Sequence, residues 1–128
     1  MIFPEKRSSG QNHFLAITAT TIFCFAVPAS AQDLDGVTAM CLELDDSEVC
    51  ACASRNLKEQ IGNDDYALYA AIGADYLARL EAGEGRVDAW MEASRTEAGK
   101  RGVGNVALMG KTNEIGDLHR NAIKACGG

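Results

Sequence analysis

Residues 41–61 have the sequence CLELDDSEVCACASRNLKEQI, and this stretch decides the fold expected for the whole chain. Its apolar residues are spaced as on one face of a helix, and three cysteines lie among them. Asp45 followed by Glu48 is typical of a helix start, and Gly62 is a residue that commonly follows a helix end. The stretch therefore predicts a cysteine-bearing helix that begins at Asp45 and ends before Gly62.

The beginning of the chain has the three features of a secretory signal peptide. Two basic residues precede an apolar run at positions 14–27, and the small residues ASA follow at positions 29–31. The run is shorter than the roughly 20 apolar residues that a membrane-spanning helix needs. We therefore expect residues 1–31 to be a cleaved signal peptide. Residues 32–128 are expected to form a single disulfide-stabilised helical domain, periplasmic or secreted, with no stable membrane insertion.

Four cysteines follow position 31, and an even number in a small exported domain predicts two disulfides. Cys50 and Cys52 point about 200° apart on a helix, so a bond between them would be strained. Cys126 must then bond to one of them and Cys41 to the other. Because Cys50 and Cys126 both lie on apolar stripes, we favour Cys50–Cys126 with Cys41–Cys52. The pairing of Cys41 with Cys50 and Cys52 with Cys126 stays open.

The remainder of the chain also has helical periodicity, and no useful length of it alternates with the period of a strand. Helices are expected at residues 35–44, 45–61, 63–82, 86–101 and 105–125. The breaks between them are short and rich in glycine, so neighbouring helices should lie roughly antiparallel. The expected fold class is all-α: a small orthogonal or antiparallel bundle of about five short helices stapled by two disulfides.

The apolar stripes of these helices identify the expected core. The stripe of the fourth helix consists of Val87, Trp90, Met91, Ser94 and Ala98. Large aromatic side chains on such stripes belong more often to a core than to a ligand cage; here they are Tyr69, Tyr76 and Trp90. A glycine inside a helix costs about 1 kcal/mol relative to alanine. Four such glycines are therefore expected to mark close helix–helix approach: Gly73, Gly99, Gly110 and Gly116.

The charge of residues 32–128 is acidic and unevenly distributed. Seventeen acidic and ten basic residues give a net charge of −7, which argues against nucleic acid or anionic lipid as a partner. Residues 32–85 carry a net charge of −9, whereas residues 86–128 carry +2. Such asymmetry would orient a partner or favour head-to-tail association, and two differently solvated faces are the simpler interpretation.

The sequence contains no complete motif for nucleotide binding, calcium binding or hydrolysis. The segment GNVALMGKT at 104–112 has one residue too many between its glycines for a P-loop, and no strand precedes it. An EF-hand loop around Gly36 would place Glu43 one position beyond the bidentate ligand. No nucleophile-elbow motif is present. We therefore expect no catalytic residues, no metal site, no cofactor and no enzymatic activity.

His119 is the single histidine after position 31, and it lies on the apolar side of the last helix. The position suits a buried histidine hydrogen-bonded to a tyrosine hydroxyl or backbone carbonyl, or a pH-sensing group. It also suits a haem or metal ligand with Met91 or Met109 opposite. His119, Met91 and Met109 are thus the candidate ligand-binding residues.

A non-enzymatic role fits these features best. We expect a protein-binding module that acts as a chaperone, inhibitor or assembly subunit on another protein or on its own copies. The alternative is a carrier of a small ligand, haem or metal that uses the core around His119.

Overall fold

The computed structural model describes residues 34–128, which form five α-helices and no strand. The helices are α1 (Gly36–Leu42), α2 (Ser47–Ile61), α3 (Asn63–Glu81), α4 (Arg86–Arg101) and α5 (Asn105–Ala125). The expected all-α fold with five short helices is therefore confirmed. The predicted signal peptide, residues 1–31, lies outside the described residues. Within the described part of the chain, no helix is both long and apolar enough to cross a bilayer.

The turn between α1 and α2 shifts one predicted helix start. Asp46, rather than Asp45, caps α2, and its side chain accepts from the backbone N–H of Glu48 at 2.9 Å. The backbone N–H of Asp45 instead donates to the carbonyl of Cys41 at 3.0 Å, so Asp45 belongs to the turn after α1. The expected capping box with Glu48 is consequently out of register by one residue.

The helices pack around α3, which lies against both α1 and α4, while α2 lies against α5 and α1. Helices α1 and α3 touch through glycines: a Cβ on Gly36 would lie 2.1 Å from the carbonyl oxygen of Ala70. A Cβ on Gly73 would lie 2.8 Å from the carbonyl oxygen of Gly36. Gly73 thus marks a close approach as predicted, whereas Gly99 and Gly110 face open space.

The buried side chains form two neighbouring clusters, and Trp90 of α4 packs against both. The first consists of Val37, Leu57, Tyr66, Tyr69 and Ile115, and the second of Leu68, Ile72, Ala93, Ala98 and Leu108. The predicted stripe of α4 was wrong at Val87, which is 72% exposed. The buried face of α4 is made mainly of small side chains, including Ala89, Ala93, Ser94 and Ala98. Hydrophobicity alone therefore did not locate this face.

The two predicted disulfides are confirmed, but the favoured pairing was wrong. The bonds are Cys41–Cys50 and Cys52–Cys126. The end of α1 packs beside the first turn of α2, which places the Cα atoms of Cys41 and Cys50 5.5 Å apart in the interior. Cys52 points away from that interior toward the end of α5, where Cys126 is the half-buried C-cap residue. The apolar stripe of α5 therefore did not predict the direction of Cys126.

Candidate functional site

A cleft of about 440 Å³ lies among α1, α3, α4 and α5. Helices α1 and α3 contribute Met40, Tyr69 and Tyr76, and α4 contributes Trp90. The longest wall comes from α5, where residues spaced one helical turn apart face the cleft; these are Thr112, Gly116, His119 and Ile123. Gly116 lies in this wall, where a Cβ would already be in van der Waals contact with the Tyr69 hydroxyl oxygen at 3.6 Å, so a larger side chain would extend into the cleft.

Three aromatic rings form one wall of the cleft. The ring of Trp90 meets that of Tyr76 with a centroid distance of 5.5 Å and an angle of 78°. It meets the ring of Tyr69 at 5.9 Å and 67°. These edge-to-face contacts are favourable and hold the rings in place. The three rings lie in edge-to-face contact and together form one apolar wall of the cleft. They therefore serve both the core and the cleft.

His119 lines the cleft from α5, beside this aromatic wall. Its imidazole is 5% exposed and meets the Tyr69 ring edge-on at 5.8 Å and 88°. The Nε2 atom is buried and has no hydrogen-bond partner among the described residues, which differs from the hydrogen-bonded histidine that the sequence suggested. Burial lowers the pKa of His119, against the opposing effect of the Asp35 carboxylate, so the ring is neutral at pH 7. Burial also raises the pKa of Tyr69 to about 12, which keeps its hydroxyl protonated.

Of the three predicted ligand-binding residues His119, Met91 and Met109, only His119 lines the cleft. Neither Met91 nor Met109 lines the cleft, and Met109 instead accepts a hydrogen bond from the Asn105 side chain at 3.6 Å. The methionine beside the cleft is Met40 of α1, which periodicity within α5 could not reveal. Among residues 34–128, no group of three or more His, Cys, Asp or Glu side chains is arranged to hold a metal ion.

The rim of the cleft carries two positive and two negative side chains: Arg86, Arg120, Glu43 and Asp117. Arg120 pairs with Asp117 one turn away on α5. Arg86 and Glu43 are exposed, and in the described part of the chain neither is in an ion pair. The rim therefore presents one uncompensated guanidinium on α4 and one uncompensated carboxylate after α1. Neither residue was predicted from the sequence, although the charge difference between the two halves of the chain is a signal that points to them.

Polar side chains at the start of α1 form hydrogen bonds with α2 and α3. The Tyr66 hydroxyl donates to Asp35 Oδ1 at 3.0 Å, and the Thr38 and Ser54 hydroxyl oxygens lie 2.8 Å apart. These bonds tie α1 to α2 and α3. No serine among the described residues forms a hydrogen bond with His119.

No protein-family model, curated protein or solved structure matches this chain. The function must therefore be argued from the cleft and from the chemistry of its residues.

Proposed function

We propose that this chain is an exported, non-enzymatic binding protein that holds a small amphipathic ligand in the cleft around His119. The observation that carries the proposal is the combination of an aromatic wall and a charged rim in a single cleft. Small-molecule sites typically have volumes of about 300–1,000 Å³, mostly apolar walls and a few polar groups that fix orientation. The cleft, at about 440 Å³, fits that description.

The walls and the rim would contribute in different ways. Apolar surface that the ligand buries against Tyr76, Trp90 and Met40 supplies roughly 25 cal/mol per Å². The neutral ring of His119 leaves this inner part of the cleft without charge. Polar groups of the ligand would stay at the rim, where water still reaches them and the cost of desolvation is small.

Among the carriers considered from the sequence, a small organic ligand is better supported than haem or a metal ion. The two methionines expected to complete a His/Met ligand pair lie away from the cleft. All four cysteines after position 31 are in disulfides, so none supplies a thiolate. The buried Nε2 of His119 is also poorly placed to meet a large planar group.

Export is part of the proposal. The sequence features of residues 1–31 support it, as do two disulfides in a chain this short. Disulfides form and persist in oxidising compartments and are rare in the cytosol. The two bonds are therefore consistent with an extracytoplasmic location, periplasmic or secreted.

A side chain that fills the cleft should strongly weaken ligand binding without unfolding the protein. Gly116→Leu puts an aliphatic side chain at the centre of the cleft, while Gly110→Leu places the same side chain where the structure has open space. Anilinonaphthalene sulfonate is a suitable probe, because energy transfer from Trp90, the single tryptophan, reports its arrival. We expect Gly116→Leu to weaken dye binding at least tenfold and Gly110→Leu to leave it unchanged. Equal dye binding by both variants, with both folded by circular dichroism, would contradict the proposal.

Protein binding, the first expectation from the sequence, is the second candidate and is favoured by a second groove, which adjoins the cleft at Glu43. An aliphatic groove of about 530 Å³ runs between α1 and α3 and is lined by Leu34, Ala39, Leu42, Leu77 and Leu80 with Glu43 and Glu81. It contains no aromatic or cationic side chain. The chemistry that complements it is an amphipathic helix with an apolar stripe bordered by lysine or arginine.

A charge placed in this groove tests that candidate. Leu42→Asp should reduce the binding of a leucine- and lysine-rich model helix at least fivefold in calorimetric titration. Val106→Asp is the matched control, because Val106 is 85% exposed and lies outside the groove. If both variants bind the helix as the unmodified protein does, the groove is not a protein-binding surface.

A further inference from the structure

We infer that the cleft selects a zwitterionic ligand, specifically a free α-amino acid with an aromatic side chain. The inference rests on the proposed small-ligand function and names the class of ligand. It combines the two unpaired rim charges with the aromatic wall and with the charge asymmetry of the sequence.

The cleft lies at the boundary between the acidic and the basic halves of the chain. Its walls from α1 and α3 belong to the acidic half, and those from α4 and α5 belong to the basic half. Glu43 is the single charged lining residue from the acidic half, and Arg86 begins α4 on the other side. A ligand in the cleft therefore meets a negative charge from the end of α1 and a positive charge from the start of α4.

The rim also carries a second arginine and a second carboxylate, so it holds two charges of each sign. Arg120 and Asp117 pair within α5, and both side chains are more than two-thirds exposed. Such an exposed pair is weak. The positive charge of Arg120 nevertheless acts on the cleft, where, after burial, it contributes to the lowered pKa of His119. An anionic ligand would be attracted by Arg86 but repelled by Glu43. A cationic ligand would be attracted by Glu43 but repelled by Arg86. A ligand that carries both an ammonium and a carboxylate meets neither repulsion.

The apolar part of the ligand follows from the wall. Tyr76 and Trp90 present ring surfaces to the cleft, and the His119 ring beside them is neutral. Aromatic rings pack on such a surface edge-to-face or offset, with favourable energy beyond their buried area. An aromatic side chain in the cleft, with its α-ammonium and α-carboxylate at the rim, satisfies both parts of the site.

Four probes with one ring system separate the contributions of the wall and the rim. Indole is neutral, indolepropionate is an anion, tryptamine is a cation and tryptophan is a zwitterion. In calorimetric titrations at low salt, we expect tryptophan to bind roughly two- to fivefold more tightly than either singly charged probe, the range for one exposed ion pair. Arg86→Gln should remove the advantage of tryptophan over tryptamine. Glu43→Gln should remove its advantage over indolepropionate.

Two matched variants control for net charge. Arg55→Gln and Glu114→Gln change the same charges at exposed positions outside the cleft, and both should leave the order of the four probes unchanged. If indole binds and tryptophan gains nothing over the singly charged probes, the zwitterion inference is wrong while the small-ligand function stands. If neither the indoles nor the naphthalene dye bind, the small-ligand function itself fails, and the inference fails with it.

Discussion

The double variant Cys52→Ala/Cys126→Ala should lose about 4 kcal/mol of unfolding free energy, because its disulfide closes the longest loop in the fold. The bonded cysteines are 74 residues apart in sequence. In the chain-entropy model the stabilisation grows with the logarithm of loop length, since the crosslink mainly restricts the unfolded chain. Domains of this size have total stabilities of only about 5–15 kcal/mol. The loss should therefore be apparent in urea denaturation as a large shift of the midpoint.

The second disulfide provides the matched comparison. Cys41 and Cys50 are nine residues apart, so Cys41→Ala/Cys50→Ala should lose about 3 kcal/mol by the same model. The order of the two losses is the informative result. If removing the short-range bond costs clearly more than removing the long-range bond, then packing around the buried Cys41 and Cys50, rather than loop closure, dominates the stabilisation.

A single substitution tests the pairing directly. In Cys126→Ala, Cys52 should be the free thiol that iodoacetamide modifies, and fragmentation of the labelled protein should locate the label there. Labelling at Cys50 would contradict the pairing and restore the one favoured from sequence. The intact mass of the unmodified protein, recovered from outside the cytoplasm, should begin at Gln32 and lack four hydrogens relative to the reduced chain. A mass that still includes residues 1–31 would contradict the proposed export.

Local sequence signals predicted the helices well because each boundary depends on residues close in sequence. Glycine at the breaks places the ends of α3, α4 and α5 to within a residue or two, and aspartates cap the starts of α1 and α2. The pairing of the cysteines was beyond such signals. Cys50 and Cys52 differ by about half a turn on one helix, and the docking of α1 against the start of α2 decides which of them meets Cys41.

The cleft could be predicted only in part. Tyr69, Tyr76, Trp90 and His119 were all placed on inward-facing stripes, and they do lie together. A stripe shows which face of a helix is apolar, but it does not show how far apart two helices lie or where a glycine leaves space. The contributions of Met40 and Arg86 depend on where α1 ends and α4 begins around α3, which is a property of the assembled fold.

Adding a methyl group at the contact between α1 and α3 should be the most damaging conservative substitution in the protein. In Gly36→Ala the new Cβ would lie 2.1 Å from the Ala70 carbonyl oxygen and 2.5 Å from the Ala74 backbone nitrogen. Both atoms belong to the backbone of α3 and cannot move aside without shifting a helix. Overpacking of this kind typically costs about 1–3 kcal/mol, and we expect Gly36→Ala to lower the free energy of unfolding by about 3 kcal/mol in chemical denaturation.

The other helical glycines make the prediction specific. Gly99→Ala and Gly110→Ala add the same methyl group in open space, so each should gain up to about 1 kcal/mol from the higher helix propensity of alanine. Gly73→Ala should also destabilise the protein, but less than Gly36→Ala. Its new Cβ would lie 2.8 Å from the Gly36 carbonyl oxygen, a milder backbone clash, and its other close contact is the movable methyl group of Met40 at 2.6 Å. A destabilisation shared by all four variants would mean that backbone flexibility, rather than contact, is the reason for glycine at these positions.

The same contact links the stability of the fold to the cleft. Helix α1 carries Met40 into the cleft and ends just before Glu43, so any displacement that relieves the clash at Gly36 also moves one wall of the site. We therefore expect folded Gly36→Ala to bind anilinonaphthalene sulfonate several-fold more weakly, even at temperatures where it is fully native. Unchanged dye binding in the destabilised variant would show that α1 adjusts locally and that the cleft is formed mainly by α3, α4 and α5.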